Sequence, residues 1–429
     1  MNNNCRKWKM TIFTVLMYSA ATFAGTGAKP TAFDTRSLSL AGATSANMNS
    51  IMALENNPSQ LFFIGKDRVE FNMTPAIIGI NYTDSFQGTN WNNDNSITAY
   101  APLTNLGYVY HYNDKLVLGI VGYVNGGVGM KMEDIKLGIA PNDGSEDIDF
   151  SMVNFKVSFG GAYQLNDNLT LGVSLDWSAA KLKNKIDVTG ITNKVKMISV
   201  DYQPDLAQTA GFNFGLTYKI RNINLAYCYS SSNSFDFNGE LILTNLNGPA
   251  PVTGKKYDNT ETSFTMPERH TIAASYAFNE AISLMGEFRY QPYKKYFMTQ
   301  DLKSNGAAVL PQQKPRYDDL KFFGVGIEYQ EEGFVLRGGY GHGNGICGPE
   351  SVSPTNIFVN TDDLTFGAGT KWNQYEFNLG LLYSIPKSVK AAPDADWSTA
   401  IFNQPAPSAY SYEIKGDLLV IGFTTIYNF

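Results

Sequence analysis

The chain has 429 residues, a formal charge of -6 and 13% aromatic side chains, and only 17% of its residues are charged. An acidic chain with no basic stripe cannot neutralise a run of phosphates, which sets nucleic acid aside as a partner. Beyond the N-terminus no apolar run reaches the roughly 18 residues of a helical membrane span, so any membrane is crossed by strands.

Residues 1–24 read as a secretory signal. Arg6, Lys7 and Lys9 precede the apolar run Met10 to Phe23, and Thr22 and Ala24 are small residues before a cut. Cys5 lies before that run, where no lipid attachment is expected. Residues 25–66 read as a compact insert, densest from Phe33 to Ile64. Small residues (Ala41, Gly42, Ala43, Ser45, Ala46) lead into a short helix-like apolar run (Met48, Ile51, Met52, Leu54) that stops at Asn56-Asn57-Pro58. Pro58 pushes Asn57 out of the helical region and ends the run.

From 67 to 429 the pattern changes to period-two alternation, clearest in Gly211 to Ile220 and Tyr375 to Tyr383. It predicts fourteen strands, near 68–83, 96–112, 116–132, 147–165, 169–186, 208–221, 223–239, 268–279, 281–296, 317–330, 334–344, 363–373, 375–385 and 417–429. A soluble sandwich would alternate too, so alternation alone does not choose. The connections do. Tight links such as Asn113-Asp114, Asn222 and Asn373-Gln374 alternate with long ones such as Leu241 to Pro267 and Pro386 to Gly416. Short turns at one end and long loops at the other are the pattern of an outer-membrane barrel. The expected fold is an all-β, 14-stranded antiparallel transmembrane β-barrel, 67–429, with residues 25–66 as a small helical hatch in its lumen. Tyr108, Tyr110, Tyr112, Tyr290, Tyr293, Tyr296 and Phe297 fall near strand ends, where interfacial girdles belong. The last strand alternates up to Phe429 and resembles the signal read by the barrel-assembly machinery, an expected partner.

Candidate chemistry is sparse. Only His111, His270 and His342 are available as bases, no G-x-S-x-G is present, and the histidines lack metal-ligand spacing. No enzyme activity, metal or cofactor is expected. Gly338 to Gly345 lacks the Lys-Ser/Thr of a phosphate loop. Cys228 and Cys347 set no disulfide framework, and their pairing stays open. Strand parity points Lys156, Lys219, Arg289, Arg337 and Lys371 inward, together with Glu287, Glu328 and Glu376. Such charges either brace a barrel or meet an acidic ligand. Arg289 and Arg337 are the choices for a carboxylate, because a guanidinium offers a two-pronged donor. In the third strand Asn125, Gly126, Gly127 and Gly129 form a run of weak ladder that marks a bend or bulge; the alternative is that they make room for the hatch.

Arg36-Ser37-Leu38-Ser39-Leu40-Ala41-Gly42-Ala43, Glu55-Asn56-Asn57-Pro58-Ser59-Gln60-Leu61 and Met266-Pro267-Glu268-Arg269-His270-Thr271, with Asp362 to Tyr383 and the closing strand, resemble the long-chain fatty-acid transporter (FadL-type) family. The second motif is similar to that family's hatch motif, with Ser59 where Ala is usual. The resemblance implies a monomeric passive transporter of hydrophobic molecules, with hatch residues Gly42, Asn56, Asn57 and Pro58. It also implies an outer-loop groove, a lumenal pocket and a sideways exit into outer-membrane lipid at a kinked third strand, here Asn125, Gly126, Gly127 and Gly129. Long-chain fatty acids, aromatic hydrocarbons and other lipids all fit as cargo. A barrel of the same family that binds proteins in a secretion system is the alternative function, and a lipid enzyme the remotest.

Overall fold

The computed structural model describes residues 29–86, 89–139, 142–190, 195–246, 251–296, 302–309, 316–352, 358–390 and 410–429. The expected signal segment, 1–24, lies outside them, as do residues 25–28 of the expected hatch and much of the loop 386–416.

Among the described residues nineteen strands form one antiparallel sheet. In order they are β1 (Arg68–Phe86), β2 (Thr89–Asn113), β3 (Leu116–Ile139), β4 (Asn142–Asn166), β5 (Leu169–Gly190), β6 (Lys196–Tyr202), β7 (Ala207–Ile220), β8 (Ile223–Ser230), β9 (Asn233–Asn245), β10 (Val252–Met266), β11 (Arg269–Ala277), β12 (Ile282–Gln291), β13 (Lys303–Ser304), β14 (Ala307–Ala308), β15 (Leu320–Glu331), β16 (Phe334–Gly343), β17 (Thr361–Trp372), β18 (Tyr375–Lys390) and β19 (Tyr410–Asn428). Fourteen of them close a barrel. The ring runs through β1 to β5, β7, β8, β11, β12 and β15 to β19, and β19 pairs back onto β1 from Arg68↔Asn428 to Phe86↔Tyr410. The other five extend the sheet at the long-loop end, where β6 lies between β5 and β9, and the β9–β10 hairpin carries β13 and β14.

The alternation sorts itself into two faces. On β7 the inward Asn213 and Thr217 are buried, while Phe212, Tyr218 and Ile220 lie open on the outer wall. Leu175, Ile272, Phe366 and Leu379 are each 60% or more exposed on that wall. An apolar surface that runs around a whole cylinder has no counterpart on a water-soluble monomer and belongs in hydrocarbon.

Each of the fourteen expected strands coincides with a ring strand, with two corrections to their bounds and one to the aromatic girdle. The stretch 223–239 is two elements: β8 stops at Ser230 and the chain leaves the wall through Ser231 and Ser232 into β9. The stretch 281–296 ends at Gln291, because Pro292 has no N–H for the ladder, and a short helix Tyr293–Tyr296 follows. Tyr293 is only 1% exposed, so it is a core residue and no part of a girdle. Tyr108, Tyr110 and Tyr112 do lie exposed near the short-turn end.

The hatch fills the bore. It comprises α1 (Thr35–Ser39), α2 (Ala53–Asn56) and a 3-10 helix, Pro58–Phe63. Asp34 caps α1 by accepting from the Ser37 N–H at 2.9 Å. Asn57 is extended, as the following proline requires, with φ -154° and ψ 93°, and its side chain caps the 3-10 helix through the Ser59 N–H at 3.2 Å.

Candidate functional site

The hatch motif is fastened by short side chains and close backbone approach. Asn57 donates to Ser45 O at 2.6 Å and to Thr217 Oγ1 of β7 at 3.2 Å, and Ser59 Oγ lies 2.7 Å from the same hydroxyl. Any side chain at Gly172 or Gly215 of the wall would run into Pro58, Ser59 or Asn57. Asn56 is buried with its amide on the Met48 sulfur at 4.0 Å. Gly42 turns the chain after α1 with φ +76°, a region closed to most side chains.

Among the described residues four buried ion clusters join hatch to wall. The largest centres on Glu55 of α2. Its carboxylate takes Lys29 at 2.9 Å, Lys156 of β4 at 3.0 Å, Arg269 of β11 at 3.4 Å and the Tyr123 hydroxyl of β3 at 2.5 Å. Lys156 also pairs with Asp176 of β5 at 3.0 Å, and Asn213 donates to that carboxylate at 2.9 Å. The second cluster holds Glu328 between Arg36 of the hatch, gripped by two hydrogen bonds of 2.9 and 2.8 Å, and Arg337 of β16 at 2.6 Å. In the third, Arg289 of β12 pairs with Glu287 and donates to Thr31 O and Gly42 O, each at 2.7 Å. Its guanidinium also lies 5.1 Å from the centre of the Phe322 ring. The fourth is the Arg68–Glu70 pair of β1 at 3.2 Å, whose carboxylate accepts from the Ile51 N–H at 3.0 Å and whose guanidinium donates to Asn49 at 2.8 Å.

Of the inward charges read from parity, Lys156, Glu287, Arg289, Glu328 and Arg337 therefore meet the hatch or one another. Lys219 and Lys371 are exposed at the short-turn rim, Lys371 beside Glu376 at 3.5 Å. Asp176 has no role in the sequence analysis, and Glu55 enters it only as the first residue of the hatch motif. A lone acid inside the apolar run of the hatch was the available signal for Glu55. The three histidines fall in separate places: His111 contacts Asp67 and Ile64 O, His270 lies on the outer wall against Tyr227, and His342 pairs with Asp362.

The two sides of the hatch differ in chemistry. Toward the long loops the lumen is apolar, a continuous cluster that includes Ile78, Tyr82, Phe150, Phe235, Phe264 and Met266. Toward the short turns a cleft of about 440 Å³ lies between hatch and wall, lined by Asp34, Arg36, Glu70, Glu328, Arg337 and Glu376 among others. Carrying an apolar chain from the first region straight into the second would expose it to ionised groups.

A third direction is open. β2 and β3 are paired only from Asn105↔Tyr123 to Asn113↔Leu116, although both strands continue toward the long loops. Above Tyr123, β3 keeps its ladder to β4 alone, and that ladder is broken by a bulge between Val124 and Gly126. Gly126 has φ +141°. The expected residues Asn125, Gly126, Gly127 and Gly129 occupy this bulge and the unpaired edge beyond it. A side chain at Gly127 would strike the Met152 and Val153 backbone of β4; the glycines that make room for hatch atoms are others, such as Gly107, Gly119, Gly172 and Gly215.

A model of the family "Outer membrane protein transport protein (OMPP1/FadL/TodX)" matches residues 16–429. No curated protein matches the chain. Among solved structures, a FadL homologue from Pseudomonas aeruginosa is 16% identical, with a TM-score of 0.78 over 95% of this chain and 100% of that one. The toluene transporter TodX of P. putida is 16% identical, with a TM-score of 0.66 over 95% and 99%. The toluene transporter TbuX of Ralstonia pickettii is 18% identical, with a TM-score of 0.63 over 93% and 99%. At these identities the likeness is one of fold.

Proposed function

The chain belongs to the OMPP1/FadL/TodX family of outer-membrane transport proteins, and from that premise we propose that it carries long-chain fatty acids inward and releases them sideways at the third strand. It is an outer-membrane barrel for hydrophobic molecules and not an enzyme. In the proposed route the cargo lands in a groove among the long loops, enters the apolar lumen above the hatch, and leaves between β2 and β3 into lipid. The observation that carries this reading is the contrast across the hatch: apolar lumen above, ionised cleft below, and a sheet unpaired between Tyr123 and the long loops. The physics favours that exit. A chain of about 15 methylenes gains roughly 12 kcal/mol on leaving water at about 0.8 kcal/mol each, and lateral release never returns it to water.

An acid head group needs a cation. Arg289 borders a recess of about 10 Å³ with Lys29, Arg269, Gln291 and Phe322, and it is the proposed carboxylate contact, a role that requires the hatch to release its bonds to Thr31 O or Gly42 O. Arg337 borders the cleft below, bound to Glu328 and Asn378, and is assigned a bracing role. A monoaromatic hydrocarbon is the second reading, supported by the toluene transporters among the structural neighbours. Uptake of radiolabelled oleate and of toluene by cells with and without the protein separates the two. Uptake of neither would favour a barrel that binds a protein partner. Mass spectrometry of material extracted from the purified barrel identifies the cargo directly.

A further inference from the structure

At the edge of the gap two buried amides face one sulfur. Asn125 is the extra residue of the β3 bulge and has no partner on β4, whereas the next residue, Gly126, pairs with Asn154. Both asparagines are fully buried, and Met266 of β10 is 1% exposed. Asn125 Nδ2 lies 3.8 Å and Asn154 Nδ2 3.4 Å from Met266 Sδ, while the two Oδ1 atoms are buried with no hydrogen-bond partner. Turning either amide over would set its oxygen against a sulfur that only accepts, so each carbonyl oxygen stays on the side of its amide away from Met266. Two desolvated acceptors on neighbouring strand positions call for a donor that the described residues do not supply. Lys156, two residues along β4, is already taken by Glu55 and Asp176.

Resting on the transport reading above, we infer that Asn125 and Asn154 form a head-group site at the lateral exit for a neutral O–H donor. The class of ligand is an apolar molecule ending in a hydroxyl or an un-ionised carboxyl. An acid reaching this point gives its O–H to the asparagine oxygens as the protonated form, the form that enters hydrocarbon without burying a charge. The ionised head has no hydrogen to offer them.

The test measures binding of 1-octanol, n-octane and, at pH 8, octanoate to the full-length detergent-solubilised barrel, against Asn154→Leu and the Asn125→Leu/Asn154→Leu pair. Heat-shifted mobility on electrophoresis verifies folding. The expected result is that 1-octanol loses about fivefold in affinity per amide removed, the worth of a neutral hydrogen bond, while octane and octanoate keep theirs. Equal affinities of 1-octanol for the parent and both variants, or a parallel loss for all three ligands, overturns the inference, since the amides then hold water or shape alone. Should a variant not fold, the parent still decides: 1-octanol must bind more tightly than octane. If none of the three probes binds the parent, it is the transport reading that fails.

Discussion

Glu55 of the hatch and Lys156 of the wall form an ion pair of 3.0 Å in which neither side chain is more than 1% exposed. The pair ties an insert rich in small residues to the wall. Replacing Glu55 by Gln leaves Lys29, Lys156 and Arg269 around an uncharged amide, and breaking a buried pair in this way costs about 3–5 kcal/mol. The wall, held by its own ladders, stays closed. The expected outcome is faster hydrogen exchange across residues 53–63 and a higher single-channel conductance, with heat-shifted mobility retained. Unchanged exchange and conductance would remove Glu55 from the latch.

The lateral gap depends on a backbone conformation. Gly126→Val places a branched side chain at φ +141°, a strain on the order of 1–3 kcal/mol. Relief comes from straightening the bulge, which brings β3 toward β2. Uptake of the cargo is expected to fall to the level of cells lacking the protein while the barrel still folds. Full uptake by a folded Gly126→Val barrel would locate the exit elsewhere.

The outer wall makes a separate prediction. Leu379 is the fifth residue of β18 from its short-turn end and is 60% exposed, which puts it near mid-depth of a span of about 9–11 residues. Leu379→Arg should destabilise the barrel in lipid by about 2–4 kcal/mol, read from urea unfolding in vesicles. The same change at exposed Trp372, beside the short turn, should cost far less.

Cys228 and Cys347 are both buried and free. Burial pushes the Cys347 thiol, in the loop before β17, up to about 12, so it remains protonated at neutral pH. An aromatic disulfide reagent at pH 8 is expected to leave both untouched in the folded barrel and to modify both after denaturation. Rapid modification of Cys347 in the folded protein would show that its loop opens.

The ring was legible because two signals agreed at every strand: a period of two, and turns that alternate short with long. Pro58 marked the end of α2 for a local reason that no tertiary contact had to decide. What escaped was decided at a distance. Phe235, Phe237, Leu241 and Leu243 continue the alternation of β8, so nothing local announces that Ser231 and Ser232 turn the chain out of the wall into a loop hairpin. Glu55 reads as one acid in a helix until β3, β4 and β11 bring Tyr123, Lys156 and Arg269 to it. Parity placed Arg289 and Arg337 inside but could not tell which partners each would find, since those lie about 250 and 9 residues away in sequence. The bulge was visible as glycines, yet the missing ladder to β2 is a property of two strands together.

The seam between β1 and β19 carries a consequence for biogenesis. Because the first wall strand bonds the last along its length, the cylinder has no closed intermediate until its C-terminal segment is in place. The stopper precedes every wall strand in the chain, so it is present while the sheet is still open at this seam. A chain cut short before Tyr410 would leave two raw strand edges and a plug with no enclosure, a species marked for proteolysis.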